Sequence, residues 1–241
     1  MVTKKDLTVI YYTSNYLDEH NPYFLENTKR CLIKAIDGLP LISVSQKPID
    51  FGKNFCIGDI GRSHLNIYRQ ILIGAKKAKT KYVAMAEDDI LYSYDHFHTY
   101  LPEKDVFAYN MSRWSIYSWT KPPIYSFKAN RVVVNSLICK RDLIVSAMEE
   151  RFKKLEELFK KGEKEEEINH IWGDPGRYEK LLGVTPYPTE EFWSNIPNVV
   201  FSHPDAVGYG VLGKRKKLGD LKAYSIPYWG SAEDTLKLWK I

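Results

Sequence analysis

The sequence predicts an α/β fold, a single domain built on a Rossmann-like mixed sheet flanked by helices. Three observations lead there. Apolar, β-branched runs recur at residues 7–12, 41–45 and 82–86. The segments between them carry apolar residues at helical spacing. The third run (Tyr82, Val83, Ala84, Met85, Ala86) is apolar throughout, as expected of a strand covered on both faces.

Leu7, Thr8, Val9, Ile10, Tyr11 and Tyr12 form the first strand, ended by Thr13, Ser14 and Asn15. Phe24, Thr28, Cys31, Leu32, Ala35 and Ile36 repeat with helical period, and Gly38 supplies a stop. Residues 41–45 give the second strand. Leu65, Tyr68, Ile71, Leu72, Ala75 and Ala78 mark a second helix with Ser63 as its N-cap. The β-α-β-α-β order predicts parallel pairing through right-handed crossovers. Ligands of such sheets sit beyond the carboxyl ends of the strands, where the loops at 13–15, 45–47 and after Ala86 converge.

The second half is less regular. Strands are expected at 106–110, 114–119 and 131–139, followed by a long helix through Leu143, Ala147, Met148, Phe152, Leu155 and Phe159 that stops near Gly162. Residues 163–167 are expected to be a solvated turn or helix face. The two halves are expected to share one sheet.

Composition sets bounds. Hydrophobic residues make up 44% of the 241 and charged residues 27%, which argues against disorder. No apolar run reaches the roughly 20 residues of a membrane span. Residues 1–15 lack the apolar stretch and cleavage site of a secretory leader, so a cytoplasmic protein is expected. Cys31, Cys56 and Cys139 lie far apart and form no CxxC pair, which points away from zinc ribbons and disulfide frameworks. The net charge of +5 permits a polyanionic partner without requiring one. The 17 Tyr, 10 Phe and 6 Trp suit a Tyr-rich core, or a groove that stacks sugars or bases.

The sharpest signal is Glu87-Asp88-Asp89, directly after the third strand. Three adjacent carboxylates repel one another. A solvated acidic turn, capping a helix near Asp95, would tolerate them. Their position at the ligand end of the sheet favours an oxygen-ligated divalent cation instead.

The stretch from Gly74 to Asp89 (GAKKAKTKYVAMAEDD) resembles the passage of GT-A glycosyltransferases, especially family-2-like enzymes, that ends in their DXD motif, with Glu in place of the first Asp. The resemblance covers residues 7–95 well, is weaker over 105–145 and is faint after 165. It implies one GT-A domain over 1–241, with a nucleotide-sugar-binding half at 1–100 and an acceptor half at 101–241. It implies Asp89 as a ligand of Mn²⁺ or Mg²⁺, Glu87 near the ribose or the metal's water shell, and Asp88 near the donor sugar. Tyr12, Thr13 and Ser14 match the segment that cradles the base, and Ser45 and Gln46 the segment after the second strand. Arg62 and Arg69 flank the helix that lies over the nucleotide. His203 stands where such enzymes place a further metal ligand.

Two more segments carry expectations. Lys214, Arg215, Lys216 and Lys217 follow three glycines and suit a solvated basic loop, a lid closing on a diphosphate, or a nucleic-acid contact. Asp174 precedes Pro175, as an N-cap precedes the first helical residue of a helix at 178–182. Inverting GT-A enzymes place their general base in this region, which makes Asp174 the first catalytic candidate and Glu179 the second.

The function expected is an inverting, metal-dependent transfer from a nucleotide sugar such as a UDP-hexose. The acceptor expected is a 5-hydroxymethylpyrimidine in phage DNA, with a bacterial surface glycan as the alternative. A sugar-phosphate nucleotidyltransferase stands well behind, because the loop Thr13-Ser14-Asn15-Tyr16-Leu17-Asp18 lacks the glycines and cations that chemistry needs. A non-catalytic nucleic-acid-binding module would leave the acidic triplet unexplained.

Overall fold

A computed structural model describes residues 2–117, 119–203 and 218–239. In chain order the first part contains β1 (Leu7–Thr13), α1 (Tyr16–His20), α2 (Pro22–Ile36), β2 (Leu41–Ser45), β3 (Lys53–Cys56), α3 (His64–Lys77), β4 (Tyr82–Ala86), β5 (Ile90–Leu91) and α4 (Tyr94–His98). There follow β6 (Phe107–Asn110), β7 (Arg113–Tyr117), β8 (Tyr125–Phe127), β9 (Leu137–Lys140), α5 (Arg141–Lys160), α6 (Glu165–Trp172) and α7 (Glu179–Leu182). The last part holds β10 (Thr189–Phe192), β11 (Asn198–Ser202), β12 (Leu221–Ala223), β13 (Ser225–Ile226), β14 (Gly230–Ser231) and α8 (Ala232–Leu236).

The main sheet has the order β10-β6-β9-β4-β1-β2-β3. Strands β3, β2, β1 and β4 run parallel, and β9 enters antiparallel between β4 and β6. The fold is therefore the mixed α/β sheet with flanking helices that the sequence predicts. The register alternates as the pleat requires. Ile10, Tyr12, Val83 and Met85 face the core under α3 and α5, while Val9, Tyr11, Ala84 and Ala86 face the core under α2. Both faces being covered explains why β1 and β4 are buried along their whole length.

The expectation that the two halves share one sheet is corrected. Strands β6, β9 and β10 do extend the first sheet, but β12-β8-β7-β11-β5 form a second. The chain crosses between them at Glu87-Asp88-Asp89, which join β4 of the first sheet to β5 of the second. The single strand expected over 131–139 is a 3-10 turn at Val134–Ser136 followed by β9. Residues 163–167 lead into α6. The triplet caps no helix, because α4 starts after Ser93. Short strands such as β3, β5 and β12 lacked a sequence signal, since two to four residues define no period.

Ser63 caps α3 as expected, its side chain accepting from the Asn66 amide at 3.2 Å. Within α3, Gly74 lets the helix settle on β1. A Cβ there would collide with Ile10 Cγ2 and come within 3.3 Å of Val44 Cγ2. Both neighbours are fully buried, so neither can yield cheaply. Gly74→Ala is therefore expected to lose about 1–3 kcal/mol through overpacking, although Ala is the better helix former. A thermal melt checks this: an unchanged or raised Tm would mean that the helix can shift on the sheet.

Candidate active site

A cavity of about 460 Å³ opens at the carboxyl ends of β1 and β4. Its walls come from the end of β1, the loop at 61–64 with the first turns of α3, the acidic triplet, the segment 131–135, the segment 172–174, and Arg113, Arg177, Val200 and His203.

Each carboxylate of the triplet has its own environment. Glu87 accepts from Tyr12 Oη at 2.9 Å and from Asn135 Nδ2 at 2.6 Å, one donor per oxygen. Its backbone amide donates to Tyr92 Oη at 3.1 Å, and that hydroxyl donates to the Asn135 carbonyl at 3.0 Å. Asp88 accepts from Thr13 Oγ1 at 2.6 Å. Burial pushes the Asp88 carboxyl up to about 6, and the Glu87 and Asp18 charges add to the rise while the Thr13 hydrogen bond opposes it. Asp89 Oδ2 lies 3.8 Å from His203 Nε2. The pairing of β5 with β11 brings these two together, because the Phe201 amide donates to the Asp89 carbonyl at 2.9 Å, two residues before His203.

Asp89 and His203 supply a hard oxygen and an imidazole nitrogen to the same cavity. Two donors at 2.0–2.2 Å from one ion lie at most about 4.4 Å apart, so their separation of 3.8 Å is within the span of a shared cation. Among the described residues no group of three or more His, Cys, Asp or Glu side chains is gathered as a ready-made metal site. Tyr12 and Asn135 orient the Glu87 carboxylate with one donor on each oxygen.

The other wall of the cavity is a web of loop contacts. Asn15, at φ 62, accepts through Oδ1 from the amides of Gln46 at 2.9 Å and Lys47 at 2.8 Å, tying the loop after β1 to the loop after β2. Gln46 then donates to the Gly61 carbonyl at 2.8 Å and accepts from the Ile60 amide at 3.1 Å. The Arg62 guanidinium lies 3.8 Å above the Tyr16 ring. Tyr12, Thr13, Ser14, Gln46 and Arg62 all line the cavity. Ser45 does not: it is fully buried, and its hydroxyl donates to the Lys47 carbonyl at 2.6 Å. Arg69 lies off the lining, donating to Asn66 Oδ1 at 3.0 Å.

Asp174 lines the cavity but does not cap a helix. α7 starts after Tyr178, and Asp174 Oδ1 accepts from Tyr68 Oη at 3.0 Å and the Val134 amide at 2.9 Å. Burial raises its carboxyl above the usual range, against the Tyr68 and Val134 hydrogen bonds and the Arg177 and His64 charges. Glu179 is corrected as a catalytic candidate. It is buried off the lining, accepting from Arg151 Nη2 at 2.6 Å and from the Gly176 amide. That pair fixes α7 against α5. The cations at 214–217, including Lys214 and Arg215, lie outside the described residues.

Sequence reasoning missed Tyr16, Tyr68, Arg113, Arg131 and Asn135. A signal existed for two of them: Asn135 interrupts the apolar run 132–138, and Arg113 opens a strand of aromatic and apolar residues.

No protein-family model matches the sequence, and no curated protein matches it. Solved structures similar to the chain include two of the glycosyltransferase GlyE from Streptococcus pneumoniae TIGR4. Both are 12% identical, with TM-scores of 0.43 and 0.45, covering 77% and 78% of this chain and 45% of theirs. The chain thus spans less than half the length of those proteins. A glycosyltransferase involved in glycosylation of the major capsid of PBCV-1 is 9% identical, with a TM-score of 0.46, covering 81% of this chain and 93% of its own. Among the described residues no helix is long and apolar enough to cross a membrane.

The raised Asp88 carboxyl predicts a pH signature. Its folded value of about 6 exceeds the ordinary 3.8, so its contribution to stability is present below pH 4 and is lost as the pH rises through 6. The loss reaches about 3 kcal/mol at most, and less where water reaches the carboxyl. In EDTA, Asp88→Asn should melt progressively higher than wild type between pH 4 and 7. A difference in Tm that stays constant across that range would show that Asp88 is not destabilised by its charge.

Proposed function

We propose that the protein transfers a sugar from a nucleotide-sugar donor to an acceptor hydroxyl. The observation that carries this reading is the acidic triplet at the end of β4, with Asp89 turned to His203 in a cavity that also holds Asp174. In this reading the nucleotide lies along the loops after β1 and β2, against Tyr12, Thr13, Ser14, Gln46 and the stacked Arg62 and Tyr16. Asp89 and His203 would hold a divalent cation, Mn²⁺ or Mg²⁺, which when bound would offset the charge of the diphosphate as the leaving group. Glu87 keeps the loop in register through Tyr12 and Asn135.

The reaction is a single displacement. The acceptor oxygen forms a bond to the anomeric carbon as the bond from that carbon to the diphosphate oxygen breaks. The electron pair leaves on the nucleoside diphosphate, and the acceptor proton passes to Asp174. A carboxyl raised by burial is the better base for that proton. The acceptor we favour is a 5-hydroxymethylpyrimidine of phage DNA. The net charge of +5 and the basic run at 214–217 support it.

The test is to incubate the protein and Mn²⁺ with a panel of nucleotide sugars, with plain or hydroxymethylated DNA. Free nucleotide and the masses of the digested nucleosides are then measured. The expected result is nucleoside diphosphate release that EDTA stops, with a hexose-sized gain on the hydroxymethylated base. Pyrophosphate exchange in place of release would indicate a nucleotidyltransferase. Transfer to a glycan alone would move the acceptor and keep the reaction. Asp174→Asn keeps the oxygen that accepts from Tyr68 and Val134 and removes the base. Turnover should fall about 10²–10⁴-fold with little change in Tm, and full activity in this variant would place the base elsewhere.

A further inference from the structure

Two arginines of the cavity are not used by the mechanism above. Arg113 opens β7 opposite Asn198 of β11, and Arg131 lies in the segment leading to the 3-10 turn. Both line the cavity. Arg113 is 8% exposed, and its Nε, shielded from water, makes no hydrogen bond. A buried guanidinium is usually satisfied. None of the triplet's carboxylates satisfies Arg113 Nε: Glu87 accepts from Tyr12 and Asn135, and Asp88 Oδ2 from Thr13. Burial first and the Arg131 charge second push the Arg113 guanidinium down to about 10, while Glu87 and Asp89 pull the other way. Two like charges therefore line one cavity, and one buried donor, Arg113 Nε, has no partner. That arrangement is costly empty and favourable around an anion with several acceptor oxygens.

The geometry points to Arg113 and Arg131 as a phosphate subsite for the acceptor, so that the enzyme takes a phosphate-bearing acceptor in preference to a neutral one. The inference rests on the glycosyl-transfer reading, which puts the donor nucleotide along the loops after β1 and β2. Arg113 lies on β7, and Arg131 lies in the segment whose Val134 amide holds Asp174, the group that takes the acceptor's proton in that reading. A neutral sugar or nucleoside hydroxyl has no need of two guanidiniums. A phosphate ester beside the reacting hydroxyl uses both, and Arg forks match its oxygens.

The experiment is calorimetric titration of the UDP- and Mn²⁺-loaded protein with two matched pairs: deoxycytidine 5′-monophosphate against deoxycytidine, and glucose 6-phosphate against glucose. The wild type should bind the phosphorylated member of at least one pair about tenfold more tightly or better. Arg131→Gln should bring that ratio to within about threefold of unity, and Arg131→Lys should keep part of it, as a charge without the fork would. Arg131 is partly exposed, so its loss should leave the fold intact, and a melt checks this. Equal binding of both members by a wild type that does bind UDP and turn over a nucleotide sugar would overturn the subsite and spare the glycosyl-transfer reading. A loss of UDP affinity in Arg131→Gln as large as the loss of ester preference would assign the pair to the donor diphosphate and overturn the acceptor role. Failure to bind any nucleotide or to turn over any nucleotide sugar would sink the glycosyl-transfer reading itself, and the acceptor assignment with it.

Discussion

Three adjacent carboxylates must coexist where one strand ends, and much of the site follows from how their repulsion is managed. Unit charges a few ångströms apart repel by several kcal/mol in a partly dehydrated setting. The chain divides the problem. Glu87 is stabilised by hydrogen bonds from a β1 tyrosine and from Asn135. Asp88 takes a β1 threonine and keeps its proton to higher pH than usual. Asp89 is left facing His203. The division depends on topology. The triplet sits where the chain leaves one sheet for the other, so Glu87 is still governed by the first sheet and Asp89 already by the second. Had the chain stayed in a single sheet, no strand would carry His203 to Asp89.

The same crossover gives the cavity two unlike walls. On the side of β1 and β2 the loops are pinned backbone to side chain, through Asn15 to Gln46 and Gln46 to Gly61. Rigid backbone of that kind suits a flat, polar ligand part held by many small contacts. On the side of β7 the wall carries the arginines Arg113 and Arg131. Asp174 stands between the 131–135 segment and α3, holding Tyr68 and Val134 at once. Its burial leaves it a carboxyl ready to accept a proton, in the same cavity as the acidic triplet.

The parts of the fold legible in the sequence were those with enough residues to show a period. β2 and β4 have the bounds the pattern gives, and α3 has the cap that Ser63 announces. The triplet was legible because an acidic cluster after an all-apolar strand is chemically conspicuous. What the sequence hid was long-range. Asp174 looked like an N-cap because Pro175 follows it, yet the groups it serves are 40 and 106 residues away. Val132, Val133 and Val134 read as strand because they are β-branched, but they line the cavity and turn there. Glu179 looked like a second base, and its partner Arg151 lies 28 residues earlier in a helix whose apolar period gave no hint of a buried ion pair. β5, with two residues, had no period at all, although its pairing with β11 is what joins Asp89 to His203.

The central claim is the division of labour within the triplet, and Mn²⁺ binding in the presence of UDP tests it most directly. Electron paramagnetic resonance of free Mn²⁺ should be measured for the wild type, Glu87→Gln, Asp88→Asn and Asp89→Asn, each checked for folding by a melt. Asp89→Asn is predicted to weaken Mn²⁺ by about tenfold or more, as loss of a charged ligand should, while Glu87→Gln and Asp88→Asn each change it less than about threefold, since Tyr12 and Asn135 orient the Glu87 oxygens and Thr13 orients Asp88 Oδ2. Equal losses in all three variants, or the largest loss in Glu87→Gln, would contradict the division.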